Sequence, residues 1–439
     1  MLLRFYIDNF LSFGDETFFD MLPGKNLKTN LKNHIFSDNS VLKKEKRGSP
    51  VCVLPFAAIY GANASGKSNL IEAFRFVKVF VLGRNSKDKE EIPIEPFLLS
   101  EKNVNEPTQF EMVFKTEGVV YTYGFRVGKE RVWGEWLYRI NEKSENELVF
   151  ERVFEGGKQK FTFGVTLDNL DSSKPEAWIS SRELFLTFAC NAEEKKEAFL
   201  PIYHWFERWT FFDKNRYFNF IPAKVYEDND FRKFLSQMVN SIDTGISSIQ
   251  SQRQKMTKEE YQQLPLSERL GALMFFRAEN KDIFTYKLLL EHYNDNGKTV
   301  HFPVEMESDG TRRMLELLPI LYLMNKEKDQ YNLFIIDELD NGIHPLLSSW
   351  FLNAFIANPY RRGSQMIFTT HDINLLDEKL LLRQDEIWFV EKNSLGKSHF
   401  TRLSEYEDSD KIKYKNGYLN GRFGGIPNLK RLEEAFPHE

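Results

Sequence analysis

The stretch Gly61-Ala62-Asn63-Ala64-Ser65-Gly66-Lys67-Ser68 constrains the fold more than any other part of the chain. It fits the pattern GxxxxGK[ST], with an apolar run (Phe56 to Tyr60) before it and a helix-like run (Asn69 to Phe74) after it. Such a loop needs glycines so that successive backbone N–H groups can curl around phosphate oxygens. It also needs a helix N-terminus whose dipole favours the anion. An α/β fold is therefore expected, with Leu70, Ile71, Phe74, Val77 and Phe80 or Val81 on the buried face of the helix. Gly61 to Ser68 with Asn69 form the candidate phosphate site. Lys67 is expected to reach the β- and γ-phosphates of ATP, and Ser68 to ligate Mg²⁺.

Two later runs end in chemistry. Leu333 to Ile336 is wholly apolar and ends in Asp337-Glu338, and it is expected to lie beside the phosphate-loop strand. There Asp337 would hold Mg²⁺ through water and Glu338 would polarise the attacking water. The run from Gln365 reads as a further apolar strand, ending in Thr369, Thr370, His371 and Asp372. A neutral His371 imidazole at that strand end could contact the γ-phosphate and the water. Between the two halves, Ser308-Asp309-Gly310-Thr311 opens a helix with Met314, Leu317 or Leu318, Leu321 and Met324 on its apolar face. That alone is a capped helix N-terminus.

Length and composition bound the rest. A chain of 439 residues with 41% hydrophobic and 28% charged residues can build two or three lobes of an ordinary soluble protein. The longest apolar runs are too short to span a bilayer and the first residues lack signal-peptide order, so a cytoplasmic protein without a membrane partner is expected. Cys52 and Cys190 have no metal-ligand spacing, and both read as reduced. Net charge of -5 argues against a basic coat, although Lys25, Lys28, Lys32, Lys43, Lys44, Lys46 and Arg47 cluster and make DNA a candidate partner.

The N-terminus reads as two paired strands around Asn9-Phe10-Leu11-Ser12-Phe13-Gly14, and 108–165 reads as antiparallel strands. From about 172 to 295 the texture is helical, without heptads. The expected domains are 1–170 (first half of the head, with the phosphate loop and an antiparallel β lobe), 171–299 (a helical insertion) and 300–439 (second half).

Taken together, "NFLSFGDE", "GANASGKSN", "ESDGTRR", "FIIDELDNGIHP", "TTHD" and "GYLNGRFGGIPNL" resemble the ABC-type ATPases of the SMC, Rad50 and RecF group. They are most similar to the stand-alone AAA15-type, OLD-like ATPases of bacterial defence islands, including the RloA proteins and the ATPase subunit of the PARIS anti-phage system. The resemblance implies an ABC-type P-loop ATPase head, SMC/Rad50-like. Two copies would close on ATP and Mg²⁺ as a homodimer or part of a higher homo-oligomer. By position, Ser308 to Thr311 is then the signature loop, with Ser308 and Gly310 facing the γ-phosphate of the opposite protomer. Asp340 and Asn341 occupy the D-loop, and Gln109 falls in the region of the Q-loop. Asp309 stands where the usual signature has glycine, so its carboxylate must face Arg312, Arg313 or solvent.

The resemblance further implies a sensor of an abortive-infection system, set off by a phage-encoded trigger and controlling a Toprim-type nuclease. The 68 residues after His371 are too few to hold that nuclease, so it is expected on a separate chain. The competing reading is a RecF/SMC-like DNA-repair ATPase. A transporter subunit ranks lower, since the "NFLSF" opening belongs to the SMC-like group.

Overall fold

The computed structural model describes residues 1–24, 31–38, 51–84, 91–140, 145–164, 179–191, 197–212, 220–263, 283–326, 331–377, 381–406 and 413–426. The chain forms two compact units. The first comprises Met1–Thr210, Tyr331–Ile335 and Arg362–Glu439, and the second Phe211–Gln330 and Ile336–Arg361.

Two sheets lie wholly or mostly in the first unit. One has seven strands in the order Lys158–Phe163, Asn146–Glu155, Val132–Ile140, Val119–Val127, Thr108–Thr116, Leu2–Asp8, Thr17–Asp20, each antiparallel to its neighbour. This is the expected antiparallel lobe, and Leu2–Asp8 with Thr17–Asp20 are the expected N-terminal pair. The chain is rich in phenylalanine, and the rings fill the space between this sheet and the phosphate-loop helix Lys67–Val81. Phe5 stacks on Phe74 at 4.2 Å, and Phe76 on Phe110 at 5.5 Å. Leu70, Ile71, Phe74, Val77, Phe80 and Val81 are all buried, as the helical spacing required.

The other sheet runs Trp209–Phe212, Leu333–Ile336, Gln365–Thr369, Phe56–Gly61, Ile387–Lys392, Ser398–Arg402. Phe56–Gly61 is parallel to both of its neighbours and buried at every residue, as a central parallel strand covered on both faces must be. One expectation is corrected here. The strand beside the phosphate-loop strand is Gln365–Thr369, and the Asp-Glu strand Leu333–Ile336 lies one place further out. Both runs have apolar centres and are buried at every residue, so hydrophobic pattern alone could not order them.

The span 171–299 is helical only in part. Helices Phe185–Asn191 and Leu200–Glu207 belong to the first unit, where Trp205 stacks on Phe114 at 3.8 Å. In the second unit, helices Ile221–Glu227, Asn229–Ser241 and Lys258–Gln263 accompany an antiparallel sheet of Ser248–Met256, Ile283–Tyr293 and Thr299–Pro303. The first of these strands exposes both faces from Gln252 to Lys255, so it lacks the alternation that marks a half-buried strand. Among the described residues, no helix is long and apolar enough to cross a membrane.

Helix Asn229–Ser241 is tied to the long helix Asp309–Lys326 through Asp228. The Asp228 side chain accepts the N–H groups of Asp230 and Phe231, the Tyr322 hydroxyl at 3.0 Å and the ammonium groups of Lys224 at 3.0 Å and Lys326 at 3.2 Å. Burial pushes this carboxyl up, but the Phe231 amide and the three side-chain donors outweigh it and hold it well below the usual carboxylate range. A carboxylate depressed by folding contributes stability that is full above its unfolded value, about pH 4, and is lost as pH falls further. Asp228→Ala is expected to cost about 1 kcal/mol at pH 7 through the lost cap and to flatten the acid limb of a melting-temperature profile. A variant profile parallel to the wild type below pH 4 would contradict this linkage.

Candidate functional site

The phosphate loop is set by strand Phe56–Gly61 and by the helix beginning at Lys67. Gly66 has φ 116°, a conformation that strains any L side chain. A Cβ there would also run into the Ser12 and Ser398 hydroxyls, and a Cβ on Gly61 would come within 2.7 Å of the Val390 carbonyl. Ala64 is left-handed too, at φ 61°. The buried Lys67 ammonium donates to the carbonyls of Gly61 at 2.8 Å and Ala62 at 3.0 Å, so the cation stays within the loop. Asn63, Ala64 and Ser68 face solvent. Ser65 Oγ is buried and has no hydrogen-bond partner among the described residues. A loop with no room for a Cβ at Gly61 and Gly66, a cation inside it and a buried Ser65 hydroxyl fit a polyphosphate.

His371 follows the strand beside this loop and is exposed. The chain is pinned on either side of it. The Thr370 N–H donates to the Ile59 carbonyl at 3.1 Å, and the Tyr60 hydroxyl donates to the Asp372 carbonyl at 3.1 Å. The structure thus brings His371 alongside the phosphate-loop strand. Asp372 caps the short turn Ile373–Leu376 through the Asn374 N–H.

In the second unit, Asp337, Glu338, Asp340 and the loop at Ser308 come together. Ser308 Oγ accepts the Thr311 N–H at 3.1 Å and caps helix Asp309–Lys326. Asp309 is largely exposed and pairs with Arg312, as its charge required. A Cβ on Gly310 would meet the Gly342 carbonyl at 2.7 Å, so the signature-like loop touches the turn after Asp340 backbone to backbone. Met314, Leu317, Leu318, Leu321 and Met324 are buried.

Sequence reasoning gave Arg313 no role beyond that of a counter-charge. Its guanidinium is buried and donates to the carbonyls of Asp337 at 2.8 Å and Glu338 at 2.9 Å, while pairing with Glu316 at 2.9 Å. Glu338 has φ 51°, rare for a residue with a side chain. Such strain persists only where surrounding bonds over-determine it. Here Arg313 grips the Glu338 carbonyl, which also accepts the Asn341 N–H at 3.1 Å, and the Asn341 side chain donates to Glu338 Oε2 at 2.8 Å. The available signal was an Arg and a Glu three apart inside the apolar run of the helix. Arg313→Ala is expected to cost about 3 kcal/mol, because it strands a buried Glu316 and removes the donor to two carbonyls. Denaturant unfolding would read this, and adding Glu316→Gln should recover part of the loss.

Two further residues have defined places. His344 Nδ1 accepts the Leu346 N–H and caps helix Pro345–Ala357, a turn role. Gln109 sits in the antiparallel sheet opposite Asp8 and Arg126. In the basic cluster, Lys25, Lys28, Lys43, Lys44, Lys46, Arg47 and the Lys32 side chain lie outside the described residues. Among the described residues no group of three or more His, Cys, Asp or Glu could hold a metal ion.

No curated protein matches this chain. Among solved structures it is similar to the SMC head domain from Thermotoga maritima, with 12% identity over 91% of this chain and 98% of that one and a TM-score of 0.38. It is also similar to an SMC head bound to the C-terminal winged-helix domain of ScpA, with 13% identity over 92% and 99% of the two chains and a TM-score of 0.38. The family model described as "AAA domain, putative AbiEii toxin, Type IV TA system" matches residues 56–377, from the phosphate-loop strand to just past His371. With well over half of its length matched, the chain belongs to this AAA family.

Proposed function

We propose that this protein is an ABC-type ATPase that binds and hydrolyses ATP between two copies of itself, and that closure on ATP switches a partner. The observation that carries this reading is the block formed by Ser308, Gly310, Arg313 and Glu338. A capped helix N-terminus able to face an anion is locked by backbone contacts to a strained, acid-bearing loop. Such a block is of use to a second copy's nucleotide as well as to its own.

Bound ATP would supply the transferable γ-phosphoryl group, with Mg²⁺ offsetting its charge. Backbone N–H groups of Gly61 to Lys67 hold and orient the phosphates, and the Lys67 ammonium turns from the loop carbonyls to them. Ser68 and Asp337 would hold Mg²⁺, which takes few protein ligands beside phosphates and water. Glu338 takes the proton of the attacking water, and His371 orients that water. Asn69 braces the loop, and Asp340 lines the interface. Ser308 Oγ and the Gly310 N–H of one copy cover the outer side of the γ-phosphate held by the other.

The family description names a toxin of a toxin–antitoxin system, which favours a switch in a conflict system over a housekeeping repair role. We take the chain to be the sensor of an anti-phage system, in the cytoplasm, answering a phage-encoded trigger and controlling a separate Toprim-type nuclease. Co-purification of the native operon with identification of the bound chains tests that assignment.

Complementation tests the paired site. Homomeric Ser308→Arg and homomeric Lys67→Ala should each be inactive. Mixing the two should restore up to about half of wild-type ATPase activity, since one composite site then combines an intact loop with an intact signature. No recovery on mixing would argue that the signature loop does not act in trans.

A further inference from the structure

The "NFLSF" turn at the N-terminus has no role in the scheme above, yet its serine lies beneath the phosphate loop. Asn69 Nδ2 donates to Ser12 Oγ at 2.7 Å, Ser12 Oγ is 2.8 Å from Ser398 Oγ, and Ser398 Oγ is 2.6 Å from the Ser65 carbonyl oxygen. A carbonyl can only accept, so the single Ser398 proton goes to Ser65. The Ser12 hydroxyl must then donate to Ser398, and Asn69 donates to Ser12. The bonds run one way: Asn69 to Ser12 to Ser398 to Ser65. A backbone bond from the Ser398 N–H to the Ser12 carbonyl at 2.7 Å holds the two serine segments together. Ser12 and Ser398 are both buried.

We infer that Ser12 and Ser398 are positioning residues for the phosphate loop: the relay fixes the Ser65–Gly66 peptide plane so that the Gly66 N–H points away from the serines and toward bound phosphate. In a trans peptide the carbonyl and the following N–H point in opposite directions, so holding the Ser65 carbonyl aims the Gly66 amide. This peptide needs an external hold. Gly66 lacks a Cβ and sits at φ 116°, where glycine tolerates either orientation of the preceding plane. Three segments distant in sequence, at residues 12, 65–69 and 398, thus make one cradle. The two serines touch the loop and not the nucleotide.

The inference rests on the nucleotide-binding reading and is tested in two arms on the full chain. In nucleotide-free protein, hydrogen–deuterium exchange of a peptide covering residues 61–70 should rise in Ser398→Ala and Ser12→Ala, with exchange elsewhere unchanged. In the second arm, both variants should weaken ATP binding by about tenfold, the worth of one buried hydrogen bond, while kcat at saturation stays within about twofold. The double variant should be no worse than the worse single one, because one relay is broken once. Asn69→Ala, at a half-exposed position, reaches the relay from outside and guards against a fold lost on mutating the buried serines. Wild-type exchange and affinity in all three variants would overturn the relay. Failure of wild-type protein to bind ATP would overturn the nucleotide reading instead, and the exchange arm would still decide the relay.

Discussion

Lys67→Ala is expected to weaken ATP binding by roughly 10²- to 10⁴-fold, the loss of one charge-assisted contact to each of two phosphate groups at about 1.5–3 kcal/mol apiece. Lys67 is the cation that the loop holds inside itself, donating to the Gly61 and Ala62 carbonyls. Asn63 and Ala64 at the rim carry no charge to replace it. Lys67→Arg should rescue little, because a planar guanidinium does not fit where a compact ammonium bonds two carbonyls of one turn. The measurement is a fluorescent-nucleotide titration paired with thermal melting. Wild-type protein should gain stability with saturating ATP, and the variant should show its own melt unmoved by nucleotide. Wild-type affinity in Lys67→Ala would remove the phosphate-loop assignment and with it the proposed function.

How much of this was legible in the sequence depends on whether the signal was local. The phosphate loop was, because glycine placement, an apolar strand and a helical spacing all occur within about 25 residues, and each has a direct physical meaning. The antiparallel lobe was legible for the same reason: strands from Thr108 to Phe163 are aromatic-rich, and most are joined by short turns. Strand order was not. Leu333–Ile336 and Gln365–Thr369 are both uniformly buried, and pairing between apolar strands is decided by crossovers that no short window contains. The sheet in the second unit was missed because Ser248–Met256 carries Gln, Arg and Lys on both faces.

The supporting residues of the site were hidden for a different reason. Arg313 bonds main-chain carbonyls in another element, and Ser12 and Ser398 bond one another and a main-chain carbonyl across hundreds of positions; a backbone acceptor leaves no mark in the sequence of the segment that supplies it. The residues expected to carry chemistry announced themselves by type. Those that hold them in place did so only once the chain was folded.

Glu338→Gln should leave ATP binding intact and slow hydrolysis by roughly 10²- to 10⁴-fold, the usual worth of a positioned base. The substitution keeps size and shape, and the Gln carbonyl can still accept the Asn341 side chain that now bonds Glu338 Oε2 at 2.8 Å. The Arg313 and Asn341 bonds to the residue-338 carbonyl are backbone contacts and survive, so the left-handed conformation at φ 51° should be retained. What is lost is the ability to take a proton, and the slowed step should make the ATP-bound pair of copies accumulate. Single-turnover hydrolysis separates chemistry from product release, and light scattering with and without ATP reads the paired state. Glu338→Asn is the informative companion: asparagine tolerates positive φ, so it relaxes the backbone while shortening the side chain. If both variants hydrolyse at the wild-type rate, the base lies elsewhere. His371, pinned beside the phosphate-loop strand by the Thr370–Ile59 and Tyr60–Asp372 bonds, is then the residue to replace next.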